Sequence, residues 1–123
     1  VERVDLFYLH RREAGRPLDE VIATMQALEA EGKIGGYGLS EMSADTLRKA
    51  HSVHPVTAVQ LEYSAWTRNP EIASLDVTRE LGVALVAFSP LARGVFAGGV
   101  RDPAVLDSGD IRRSAIQCGQ LAA

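Results

Sequence analysis

Four short apolar runs limit how this chain can fold. They are Val4–Leu9, Ile34–Leu39, Ala58–Leu61 and Val83–Phe88. Each is shorter than an ordinary helix and rich in β-branched or aromatic residues, so each is expected to be a strand. Their starts lie 30, 24 and 25 residues apart. Antiparallel neighbours can be joined by a tight hairpin, whereas parallel ones need a crossover of about this length.

The intervening segments carry helical periodicity. In "PLDEVIATMQALEAEGK", Leu18, Val21, Ile22, Met25 and Leu28 recur at spacings of three and four and form one apolar stripe. Asp19 and Glu20 sit near its positive start, and Gly32 can take the left-handed conformation that ends it. "SADTLRKAH" opens on a capping candidate, Ser43, and turns Leu47 and Ala50 inward. "NPEIASLDVTRELG" is expected as one helix, with Asn69 as its N-cap, Pro70 at the first helical position and Gly82 at its end.

The fold class is therefore α/β, with about four βα units and parallel strands. Doubly wound sheets and (β/α)8 barrels share this cadence. The first βα turn, "LHRREAGRP", is not a glycine-rich dinucleotide fingerprint, and no Walker sequence is present. Beyond Arg93 the periodicity fades into "GVFAGGVRDPAVLDSGDIRR", a long excursion of the kind that is uncommon unless functional.

Composition narrows the partners. A hydrophobic content of 46% with 24% charged residues fits a globular domain. The net charge of -3 argues against nucleic acid and anionic membranes, both of which attract a basic face. No apolar run approaches a membrane span. A single cysteine, Cys118, allows neither an intrachain disulfide nor a cysteine metal site, and a cytoplasmic setting is expected.

The strand ends carry the chemistry. The first run ends on His10, the second on Ser40 and Glu41, and the fourth on Ser89, with Arg93 beyond; the third carries Gln60 in an apolar context. In a parallel βα architecture all the carboxyl ends share one rim, where active sites sit. The set offers donors for a carboxamide or a phosphate, and a ring that can polarise a carbonyl. Each residue also has a plain structural use: Ser40 could cap a turn, Gln60 could bond a neighbouring strand, Phe88 could fill a core, and "FSPLARG" could be only a turn.

Together, "DLFYLHR", "EGKIGGYGLSE", "AVQLEYSAWTRNPE" and "ELGVALVAFSPLARG" resemble the aldo-keto reductases, from about Val4 to Arg113. The resemblance is closest to the branch that includes perakine reductase, where "GLSE" and "EYS-x-W-[TS]-R" occur. It implies part of a (β/α)8 TIM barrel, NADP(H) as cofactor and a small carbonyl compound as substrate. His10 matches the family's histidine that orients the substrate carbonyl. Ser40, Glu41 and Gln60 match the residues that bind the nicotinamide carboxamide. Many relatives have Asn where Glu41 stands. A carboxylate can accept from the carboxamide NH2 but cannot donate to its carbonyl, so donation falls to Ser40 or Gln60. Phe88 matches the ring that stacks on the nicotinamide, and Ser89, Pro90, Leu91, Ala92, Arg93 and Gly94 match the loop around the pyrophosphate.

The family's catalytic Asp, Tyr and Lys lie on strands that precede the histidine strand, and nothing in this chain matches them. The resemblance thus makes residues 1–123 a partial barrel domain without its N-terminal strands and last βα unit, ending in an atypical tail over 114–123. The expected function is that of an NAD(P)H-dependent oxidoreductase reducing aldehydes or ketones to alcohols, with the chain inactive alone. The alternative is a non-catalytic barrel fragment or interaction module. A zinc site built from His10, His51 and His54 is disfavoured, because the last two lie near a helix end with no acidic cluster beside them.

Overall fold

The computed structural model describes residues 1–13, 15–98 and 102–113. Four parallel strands form one sheet: β1 (Phe7–Leu9), β2 (Tyr37–Ser40), β3 (Ala58–Glu62) and β4 (Ala84–Phe88). The connecting helices are α1 (Leu18–Ala30), α2 (Ala44–Val53) and α3 (Ser74–Leu81).

The strand order is β1-β2-β3-β4, with no reversal. Leu18, Val21, Ile22 and Met25 of α1, Leu47 and Ala50 of α2, and Val77 of α3 join Tyr37, Leu39, Val59 and Leu61 in a single core. All three helices therefore cover the same face of the sheet. A doubly wound sheet reverses its order and carries helices on both faces. The sequential, one-sided winding is that of a barrel wall, and the chain is an α/β fold that forms part of one.

Strand alternation then assigns the other face. Val59 and Leu61 enter the helix-side core, so Gln60 and Glu62 point to the opposite, barrel-facing side. Leu85 packs against the same core, which places Val86 and Phe88 on the barrel side. Tyr37 and Leu39 are fully buried under the helices, which leaves Gly38 and Ser40 facing inward.

Several local expectations need correction. β1 and β2 are shorter than their apolar runs. Val4 and Ile34 make only an isolated bridge, and Gly35 and Gly36 intervene before regular pairing starts at Phe7↔Tyr37. The helix expected from Asn69 is broken. Asn69–Glu71 forms a 3-10 turn, Ala73 is non-helical at φ -153° and ψ -33°, and α3 begins at Ser74. Asn69 makes no side-chain cap. The turn follows a polar clamp, in which Tyr63 Oη and Arg68 both donate to the Glu71 carboxylate at 2.8 Å. α3 then buries Val77 and Thr78. Ser43 does cap α2, accepting from Thr46 N at 3.2 Å, and Gly32 and Gly82 take left-handed φ of 72° and 67° where their helices end. The tail at 114–123 lies outside the described residues. Among the described residues, no helix is long and apolar enough to cross a membrane.

Candidate active site

Parallel pairing puts the sequence-selected residues at one end of the sheet. Ser40 is the last residue of β2 and pairs with Gln60 of β3; Gln60 pairs in turn with Val86, and Glu62 with Phe88, the last residue of β4. His10 follows β1 directly, and Ser89 follows β4. His51 and His54 are elsewhere, at the carboxyl end of α2, which leads to the amino end of β3. His51 Nδ1 accepts from Val56 N at 3.2 Å, and His54 Nε2 meets Glu29 Oε2 at 2.5 Å, so both have structural partners.

The rim residues are held from below by backbone and from the side by charge. Ser40 is buried, yet its Oγ accepts from Arg11 Nη1 at 2.9 Å. The same nitrogen donates to the His10 carbonyl at 2.8 Å. Arg11 thus ties the residue after β1 to the end of β2, and the Ser40 hydroxyl keeps its own proton to donate. Glu41 takes φ 54°, an unfavourable value for a residue with a side chain. Two bonds to β3 hold it there. Its N–H donates to Gln60 O at 2.9 Å, and its Oε1 accepts from Glu62 N at 2.8 Å. One carboxylate oxygen is therefore committed to the scaffold.

The His10 ring is exposed and the Gln60 amide is half-buried; neither has a hydrogen-bond partner among the described residues. Below the rim, the Tyr8 ring lies across Gly38 with its Oη buried and unpartnered among the described residues. Burial pushes the Tyr8 phenol pKa upward.

The loop after β4 has an unusual backbone. Ser89, Ala92 and Arg93 take φ of 52°, 48° and 55°, and Gly94 takes 93°. Left-handed non-glycine residues cost roughly 1–3 kcal/mol each and persist where the surroundings impose them. Arg93 Nη2 donates to Glu62 Oε2 at 3.1 Å. Trp66 packs against Phe96 with ring centroids 5.9 Å apart, joining the β3 and β4 loops. The rest of the "EYSAWTR" motif is architectural: Ser64 Oγ accepts from the backbone N–H groups of Trp66 and Thr67, and Tyr63 and Arg68 hold Glu71.

A cavity of about 340 Å³ opens beside this rim, between the loops after β2 and β3, with Glu41, Glu62, Thr67 and Asn69 in its wall. Sequence reasoning missed Arg11 and Glu62. Arg11 stands next to the singled-out His10, and Glu62 stands two residues after Gln60 on the same face, so strand alternation from Gln60 would have pointed to it.

Comparison with known proteins agrees with this architecture. The Aldo/keto reductase family model matches residues 1–121. The chain is 48% identical over 98 residues to "Probable aldo-keto reductase 1" of Glycine max, covering 80% of this chain and 28% of that protein. It is 44% identical over 117 residues to "Aldo-keto reductase str7" of Strobilurus tenacellus, covering 93% of this chain and 35% of that one. Among solved structures, the glycerol dehydrogenase AKR11B4 from Gluconobacter oxydans superposes with a TM-score of 0.86 at 26% identity, over 92% of this chain and 35% of that one. An aldo/keto reductase from Klebsiella pneumoniae, in complex with NADP and acetate, gives 0.69 at 28% identity, over 96% and 41%. The chain belongs to the aldo-keto reductase family. It spans about a third of the length of these relatives.

Proposed function

We propose that this chain is the wall of an NADP(H)-dependent carbonyl reductase that holds the nicotinamide and its pyrophosphate. The observation that carries the reading is the shared rim, where Ser40, Gln60 and Phe88 face the barrel side of adjacent strands and Arg93 stands above them.

The donor set fits a nicotinamide dinucleotide. Ser40 has a hydroxyl proton to give to the carboxamide oxygen, because Arg11 supplies the bond its oxygen accepts. The Gln60 amide, without a side-chain partner among the described residues, can donate and accept. The remaining oxygen of Glu41 can take the carboxamide NH2. The Phe88 ring offers a π face for stacking. Arg93 supplies charge for phosphate, together with the loop from Ser89 to Gly94. Nicotinamide dinucleotide, when bound, supplies a hydride to the carbonyl carbon. His10, exposed beside Ser40, can donate from its imidazole N–H to the carbonyl oxygen and orient it.

The substrate class is a small aldehyde or ketone, with no role for nucleic acid or membrane, in a cytoplasmic setting. NADP is favoured over NAD on the resemblance and on the Klebsiella pneumoniae neighbours, which are complexes with NADP and NADPH. Placement in the perakine reductase-like branch rests on "GLSE" and "EYSAWTR". Residues 1–123 form one partial barrel domain, and the proton-donating Tyr with its Lys and Asp partners belongs to preceding strands. The buried Tyr8 hydroxyl on the barrel side, unpartnered among the described residues, supports further polar groups packing there. The test is a complete barrel carrying this segment: it should oxidise NADPH in the presence of an aldehyde, and His10→Ala should lower the rate about 10²–10⁴-fold. An unchanged rate would remove His10 from the reaction.

A further inference from the structure

We propose that Glu62 is a positioning residue: its carboxylate sets the Arg93 guanidinium for the phosphates of a dinucleotide. This rests on the proposed cofactor reading and assigns a role to a residue which that reading does not use.

Glu62 is the last residue of β3 and points to the barrel side, next to Phe88 in the pairing register. Two bonds place it between the two ends of the site. Its backbone N–H donates to Glu41 Oε1 at 2.8 Å, and its Oε2 accepts from Arg93 Nη2 at 3.1 Å. The pair is partly sheltered, with side-chain exposures of 35% for Arg93 and 26% for Glu62. Among the described residues, the arginine pairs with Glu71, Glu80 and Asp76 are on helices and turns and more exposed on the arginine side, while Arg112 and Asp110, two residues apart, form a local pair at 33% and 20%.

The loop needs such a hold. Ala92 and Arg93 are consecutive left-handed non-glycine residues, a conformation that local preference opposes. Glu62 contacts the guanidinium through a single nitrogen, and a guanidinium carries several further N–H donors in a fixed plane. The contact therefore restrains the side chain while leaving donors free for phosphate oxygens. A latch that blocked phosphate would instead occupy the fork with both carboxylate oxygens.

The two roles predict opposite signs. For a positioning residue, Glu62→Ala weakens NADPH binding to the full 123-residue chain about tenfold, by fluorescence or NMR titration. Glu62→Gln, which keeps an oxygen acceptor, weakens it less. Reduced nicotinamide mononucleotide, which lacks the pyrophosphate link, is affected little by either change. In an Arg93→Ala background, Glu62→Ala adds no further loss, and thermal unfolding without cofactor is the same for parent and Glu62→Gln. Equal or tighter NADPH binding by both Glu62 variants, or equal losses for both ligands, overturns the proposal while leaving the cofactor site standing. A parent chain that binds no NADPH overturns the cofactor reading, and this role with it.

Discussion

The Tyr8 ring occupies the space that a side chain on Gly38 would need. A Cβ built on Gly38 falls 2.3 Å from Tyr8 Cε1, inside any van der Waals contact. The two residues are direct partners across β1 and β2, and the glycine is what lets an aromatic ring lie flat on the barrel face.

Gly38→Ala should therefore destabilise the fold by about 1–3 kcal/mol, the usual cost of overpacking. Urea unfolding measures it. In a Tyr8→Ala background the same change should cost much less, because the obstructing ring is gone and neighbouring effects are not additive. Equal costs in both backgrounds would contradict the packing described.

A second prediction concerns pH. Tyr37 is fully buried beneath α2, donates to His54 O at 2.8 Å and stacks on the His54 ring. Burial, with the Glu29 carboxylate nearby, raises its pKa to about 12. An unfolded tyrosine ionises near pH 10. Between these values the unfolded chain has lost a proton that the folded chain keeps, so stability falls as pH rises from about 10 to about 12. Tyr37→Phe should remove most of this decline, with Tyr8, raised by burial, and Tyr63, raised by its hydrogen bond to Glu71, contributing the remainder. A slope unchanged by Tyr37→Phe would exclude Tyr37 as its source.

The chain by itself should not reduce carbonyl compounds. Reduction needs a proton for the alkoxide as well as a hydride, and none of the tyrosines here stands at the rim with a hydroxyl to donate. Tyr8 is buried below the rim, Tyr37 lies on the helix side, and Tyr63 donates to Glu71 at 2.8 Å. The chain mixed with NADPH and a reactive aldehyde should show no oxidation above background. Steady turnover abolished by His10→Ala would require a different proton donor.

Much of this was legible in the sequence because barrel walls repeat a simple rule. The apolar runs at Ala58–Leu61 and Val83–Phe88 became β3 and β4 with ends shifted by a residue. Gly32 and Gly82 closed helices because only glycine takes positive φ without penalty. The helix from Asn69 breaks at Ala73, where neither glycine nor proline marks a stop, and beside the break Tyr63 and Arg68 hold Glu71, a contact that propensity does not encode. His10, Ser40, Glu41 and Ser89 could be picked from strand ends and Gln60 from its apolar context, whereas Phe88 stands out only by the resemblance. Their supports could not: Arg11 reaches Ser40 and Glu62 reaches Arg93 only after the strands are in register.

Phe88→Ala should weaken cofactor binding by deleting the stacking surface while leaving the fold intact, because Phe88 lies on the barrel side, away from the helix-side core. Fluorescence titration with NADPH checks this, and equal affinity would reject the stacking role.

The central claim is that this rim holds a nicotinamide cofactor, and an NMR titration of the labelled chain with NADPH tests it most directly. The account predicts amide shifts concentrated at Ser40 and Glu41, Gln60 to Glu62, and Phe88 to Gly94, with α1 and the corner around His51 and His54 unmoved. Saturating shifts confined to the helix face, or none at any NADPH concentration, would contradict it.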